Sequence, residues 1–106
     1  MPFFALDGIP PTQQATGISR RAVYLEHVML TFFDFEAGAV VPAHQHPHEQ
    51  ITYVVAGALQ FTLANETQIL RAGQGATIPP GVPHSAIALE PTQALDGWYP
   101  IREDYR

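Results

Sequence analysis

Residues 38–57 read GAVVPAHQHPHEQITYVVAG, and the reading of this stretch decides the fold. A glycine stands at each end. Between them lie three of the chain's five histidines, at 44, 46 and 48, followed by Glu49 and Gln50. His44 and His46 are two residues apart, so on an extended strand their side chains point to the same face. Pro47 then breaks the strand. A β-branched and aromatic run, Ile51 to Ala56, follows, and Gln50 at its start is placed to return to the face of the histidines. Glu49 points the other way and reads as solvated. His48 shares the parity of the pair but falls in the bend after Pro47, apart from the ligand set.

Outward from this stretch the pattern is of short strands. Ten prolines and eight glycines interrupt the chain too often for long helices. Between them lie runs rich in β-branched and aromatic residues: 21–24, 28–35, 51–56, 59–63, 68–70, 76–78, 85–89 and 94–99. Gly57-Ala58 and residues 64–67 have hairpin character. Eight such strands without a credible helix predict an all-β fold, an antiparallel sandwich or barrel. Residues 1–16, with Pro10-Pro11, read as an irregular N-terminal arm. With 106 residues and 11.6 kDa, one domain with one core is expected. So short a chain leaves strand edges to cover, which makes a homodimer the expected assembly.

Charge and composition exclude several functions. A formal charge of −5 and the absence of any basic run argue against nucleic acid or an anionic membrane as partner. The N-terminal segment has neither a positively charged start nor a long apolar stretch, so no signal peptide or membrane span is expected. No cysteine is present, which suits the cytoplasm.

A second histidine site lies downstream. His84 follows the rigid turn 79-PPGVP-83, which would aim it at the first cluster. Three neutral imidazoles and an amide oxygen, from His44, His46, His84 and Gln50, suit a borderline divalent ion: Ni²⁺, Zn²⁺, Fe²⁺, Mn²⁺ or Co²⁺. From Gly38 the spacing is five residues, His44, Gln45, His46, three residues, Gln50, six residues, Gly57. From Gly73 it is five residues, Pro79-Pro80-Gly81, two residues, His84. The two patterns resemble the paired motifs of the cupin superfamily, which implies a small jelly-roll barrel with its metal held by these side chains. Most cupins carry glutamate where this chain has Gln50. The amide makes the site one charge more positive, which favours binding of anionic oxygen and stabilisation of enolates. Glutamine is a poor general base, so proton transfer needs another residue.

The C-terminal segment 96-DGWYPIREDYR-106 offers one. Asp96 and Trp98 share parity, and Pro100 bends the chain toward Arg102. An acid, a flat aromatic and a guanidinium match an acidic sugar: proton transfer, stacking on a ring face and a bidentate grip on a carboxylate. A surface Asp–Arg pair beside a packed tryptophan gives the same letters. Together with Gly17-Ile18-Ser19-Arg20-Arg21, 53-YVVAG-57 and 69-ILRAG-73, however, this tail resembles the KdgF group of small cupins. That group opens the ring of 4,5-unsaturated uronates released by pectate or alginate lyases. The resemblance implies Asp96 and Arg102 as catalytic residues, with Trp98, Gln50 and Arg20 at the substrate. Arg20 and Arg21 must point to opposite faces, and Arg20 is the one that matches the group's pattern. Two other functions fit a cupin: a metal-dependent dioxygenase, or a non-catalytic module binding a sugar or metabolite.

Overall fold

Alternation of inward and outward side chains organises the molecule, and it is clearest in the strand that carries Gln50. In Glu49–Ala56 the inward positions Gln50, Thr52 and Val54 are 6%, 3% and 0% exposed, while Glu49, Ile51 and Tyr53 face out. One face is therefore committed to the interior, which sets the register. The computed structural model, which describes residues 2–106, contains ten strands. They are β1 (Thr12–Ala15), β2 (Ile18–Tyr24), β3 (Met29–Phe35), β4 (Val40–His44) and β5 (Glu49–Ala56), then β6 (Ala58–Leu63), β7 (Glu66–Arg71), β8 (Gly75–Ile78), β9 (His84–Ala88) and β10 (Thr92–Tyr99).

The strands form two antiparallel sheets. One has six strands in the order β1-β2-β3-β10-β5-β8, the other four in the order β4-β9-β6-β7. Between them Phe33, Phe35, Val54, Leu59, Phe61, Leu70, Ile78 and the small Ala86, Ala88 and Ala94 make the main core. Two packed antiparallel sheets are the expected all-β architecture, a jelly-roll sandwich. Among the described residues, no helix is long and apolar enough to cross a membrane.

Two strands lie outside the runs read from the sequence. The arm is not irregular throughout, because Thr12–Ala15 pair with β2 as an edge strand. All four residues of β1 are exposed, so no alternation marks it. The other is β4, an edge strand with Pro42 inside it. Proline is tolerated there because one side of an edge strand needs no ladder donor.

Close approach explains one glycine. A Cβ at Gly75 would stand 2.1 Å from the carbonyl oxygen of Thr52 on the neighbouring strand.

Candidate metal centre

β5 and β10 are paired so that Gln50 opposes Trp98 and Thr52 opposes Asp96. All four side chains point inward and are buried. This block forms one wall of a cavity of about 120 Å³, whose depth is apolar, with Phe33 and Phe61 among its lining. From the other sheet His44, at the end of β4, faces His84, at the start of β9. His46 lies just beyond β4, in the turn toward β5. Strand parity therefore gave the right face for His46 through the wrong geometry: a turn, not an extended strand, delivers it. The backbone of Gly81 in the 79–83 turn donates to His46 O at 2.8 Å, which locks the two histidine segments together.

His44, His46 and His84 place their ring nitrogens within 4.8 Å of one another. In each ring Nδ1 meets a backbone carbonyl two residues away: Pro42 O at 2.9 Å, His48 O at 3.2 Å and Val82 O at 2.8 Å. A carbonyl only accepts, so a proton on Nδ1 completes each contact, and in that tautomer Nε2 is left as a lone pair. His84 Nε2 is buried with no protein partner. Burial lowers the pKa of both His46 and His84, reinforced for each by the positive charge of Arg102 and by neighbouring histidines. Neutral imidazoles with inward lone pairs are the form a metal ion requires.

Gln50 completes the donor set. Its amide nitrogen donates to Thr52 Oγ1 at 2.8 Å and to Asp96 Oδ2 at 3.3 Å. Its oxygen consequently faces His46 Nε2 at 2.9 Å. A proton on His46 Nε2 bridges the two as a hydrogen bond, and a cation bound there would take its place. Three imidazole nitrogens and one amide oxygen are donor types that suit a borderline divalent ion. The donors fit a divalent cation. His48 is not in the cluster; its ring packs edge-on to His46 and Trp98. Glu49 is exposed, as its parity requires.

Asp96 is the buried acid of the site. Burial pushes its carboxyl up to about 7, and hydrogen bonds from Thr52 and Gln50 hold it back from rising further. Oδ2 is tied to Gln50, whereas Oδ1 is buried with no protein partner.

The rest of the tail departs in part from its expected arrangement. Trp98 was read as a platform for a sugar ring, but it is 4% exposed and its indole N–H donates to Thr31 Oγ1 at 2.9 Å. It forms a fixed wall, edge-on to His46. Arg102 lies over the rings of Trp98 and Tyr105, at 5.0 and 4.1 Å from their centroids. Its Nε and Nη2 grip the carboxylate of Asp104 at 3.2 and 2.8 Å. Burial alone would raise the pKa of Asp104, but the bond to Arg102 outweighs it and the pKa is lowered. Arg20 also lies over Tyr105, hydrogen-bonded to Gln14 and to the backbone oxygen of Asp104. Neither arginine lines the cavity itself; Tyr105 does, its hydroxyl accepting from Gln14 at 3.2 Å. Arg21 points away, to Asp34 and Ile9 O, as expected. Thr52, Tyr105, Asp104 and Gln14 were not legible as site residues, since only the sheet register and the return of the tail bring them in.

Comparison with known proteins agrees with this geometry. A model of the cupin domain matches residues 31–96. The chain is 29% identical over 106 residues to the pectin degradation protein KdgF of Dickeya dadantii, covering 97% of this chain and 96% of that one. Among solved structures, KdgF from Halomonas sp. superposes with a TM-score of 0.94 at 34% identity, covering 98% of this chain and 99% of that one. An RmlC-like cupin from Shewanella frigidimarina superposes with a TM-score of 0.96 at 26% identity, covering 100% and 96% of the two chains. With the domain model spanning more than half of the chain and a likeness of that extent to KdgF over its whole length, the chain belongs to the cupin superfamily and, within it, to the KdgF family.

Proposed function

We propose that this protein opens the ring of 4,5-unsaturated uronates, the sugars released from pectin or alginate by lyases, to give the linear 5-keto aldehyde. The observation that carries the reading is the juxtaposition of a buried acid with a free oxygen, Asp96 Oδ1, and a histidine–glutamine donor set fitted to a cation. Likeness to a pectin degradation protein supports the substrate class.

His44, His46, His84 and Gln50 would hold the divalent ion, which when bound supplies Lewis-acid polarisation of substrate oxygen. The remaining chemistry belongs to the side chains. Asp96, as carboxylate, takes the proton of the anomeric hydroxyl as the bond between C1 and the ring oxygen breaks. C1 becomes the aldehyde carbonyl, and the electron pair of the broken bond passes to the ring oxygen, now an enolate across C5 and C4. Asp96 then returns the proton to C4, which completes the ketone at C5. One proton moves and none is consumed, so the reaction is an isomerisation and Asp96 ends as it began. A carboxyl with a pKa of about 7 is suited to both halves of that transfer. Arg102, beside the cavity rather than in its lining, would meet the substrate carboxylate with Nη1, the nitrogen Asp104 leaves unused, and its charge would also favour the enolate. Trp98 and Tyr105 wall the reacting centre from water.

The test is an ultraviolet assay on lyase-generated unsaturated uronate, with and without chelator. The conjugated C4–C5 double bond absorbs, and ring opening removes it. Chelator-sensitive loss of absorbance, faster than spontaneous decay, is expected. An unchanged decay rate with protein that has bound metal would overturn the reading.

A further inference from the structure

The Gln50 amide has two ends, and only its oxygen can ligate a cation. A carboxylate at this position would need no orientation, because both of its ends are oxygen. An amide does. Flipped by half a turn, it would present two N–H groups to the histidine cluster and displace a cation rather than bind one. Something must hold the nitrogen on the far side.

We propose that Thr52 is the positioning residue that makes Gln50 a metal ligand, by taking its amide N–H and so keeping Oε1 on the histidine side. Thr52 lies two residues along β5 from Gln50 on the same inward face, 3% exposed, and its Oγ1 receives the amide N–H at 2.8 Å. At that contact Oγ1 is the acceptor, and its lone pair holds the nitrogen end of the amide.

The backbone holds the hydroxyl in place. Thr52 opposes Asp96 on β10 and Ala76 on β8, so it sits mid-sheet with strands on both sides. The adjacent Gly75 lets β8 approach its carbonyl more closely than any side chain would allow. β-Branching restricts χ1, so the direction of Oγ1 is set by a well-populated rotamer and by packing. Asp96 also accepts from the amide, at the longer distance of 3.3 Å, which makes Thr52 the tighter of the two holds.

The inference rests on the reading of His44, His46, His84 and Gln50 as a metal site and not on the identity of the substrate. Its test therefore reads metal binding alone. Apoprotein is titrated with Co²⁺, following the ligand-field absorption and competing with a chelator to obtain the affinity. Thr52→Val is expected to bind Co²⁺ about 10–100-fold more weakly, the range found when outer partners of ligands are removed, with an altered spectrum. Thr52→Ser keeps the hydroxyl and is expected to restore affinity to within a few-fold. In a Gln50→Ala background, Thr52→Val is expected to cost less than twofold, since no amide remains to be held. Thr52→Ala carries the same comparison if the valine variant does not fold. Equal affinity and spectrum in Thr52→Val and wild type would overturn the proposal, and so would an equal loss with and without Gln50. Wild-type apoprotein that takes up no Co²⁺ would overturn the metal reading beneath it.

Discussion

The amide nitrogen of Gln50 lies 3.3 Å from Asp96 Oδ2, while the amide oxygen lies 2.9 Å from His46 Nε2. One side chain thus touches both the donor set and the buried acid. This accounts for an amide where most cupins have a carboxylate. Two carboxylates at that separation in a buried site cannot both ionise, and an amide lets the ligand and the acid stand side by side.

Gln50→Glu tests that account. The variant places a second carboxyl group against Asp96, and the pair is expected to hold one shared proton near neutrality. Metal should still bind, because a carboxylate oxygen is a good ligand, while turnover at neutral pH falls at least about tenfold, the low end of acid–base contributions. Metal content and initial rate on unsaturated uronate, measured on the same preparation, decide it; wild-type turnover would count against the pairing.

Asp96→Asn separates proton transfer from binding. The substitution is close to isosteric, and its amide oxygen can still accept from Gln50. Metal content is expected to remain, and turnover to fall by about 10²–10⁴-fold. Near-normal rates in this variant would remove Asp96 from the reaction.

The same residue sets a pH dependence of stability in the metal-free protein. Its folded pKa of about 7 stands above the ordinary 3.8, so the fold favours the protonated acid. That contribution is complete below about pH 4 and is lost as pH rises through 7. His46 and His84, with lowered pKa values, act oppositely: their contribution is complete above 6.5 and is lost as pH falls through their folded values. Between pH 5 and 7.5 the acid alone should cost the wild type about 2–3 kcal/mol relative to Asp96→Asn. Urea unfolding of both chelated proteins at the two pH values measures the difference, and parallel pH profiles would refute it.

Arg102→Lys removes the fork that grips Asp104 and leaves a point charge. KM for the uronate is expected to rise about tenfold, as for loss of one charge-assisted contact, with a smaller change in kcat. Stability should move by less than about 1 kcal/mol, since Asp104 is largely exposed. Steady-state kinetics beside a thermal melt distinguishes this from a structural role.

Gly75→Ala would drive a methyl group to 2.1 Å from the Thr52 carbonyl oxygen. The contact involves backbone on both strands, so β8 must shift. A loss of at least about 2 kcal/mol in urea unfolding is expected, in the range of overpacking and strain.

The histidines were legible because their spacing is local and their types are rare. Two segments of fixed length, one ending in a proline–glycine turn, were enough to place His44, His46 and His84 together. What remained hidden depends on partners distant in sequence. Thr52 matters because β5 and β10 pair in the register that sets it against Asp96, and no local pattern prints that register. Trp98 became a wall because Thr31, far upstream, takes its N–H. β1 was invisible for a different reason: an exposed edge strand of polar residues has no hydrophobic face to alternate.

The placement of the donors carries one more consequence. His44 and His84 belong to the four-stranded sheet, Gln50 to the six-stranded one. An ion held by all three would rivet the sheets together in a chain that has no cysteine to do so. Because such an ion binds the folded form, the thermal midpoint would climb with free metal concentration. Its removal would unfasten the mouth of the barrel first, so amide exchange would quicken at the ends of β4, β5 and β9 while the apolar floor stayed protected.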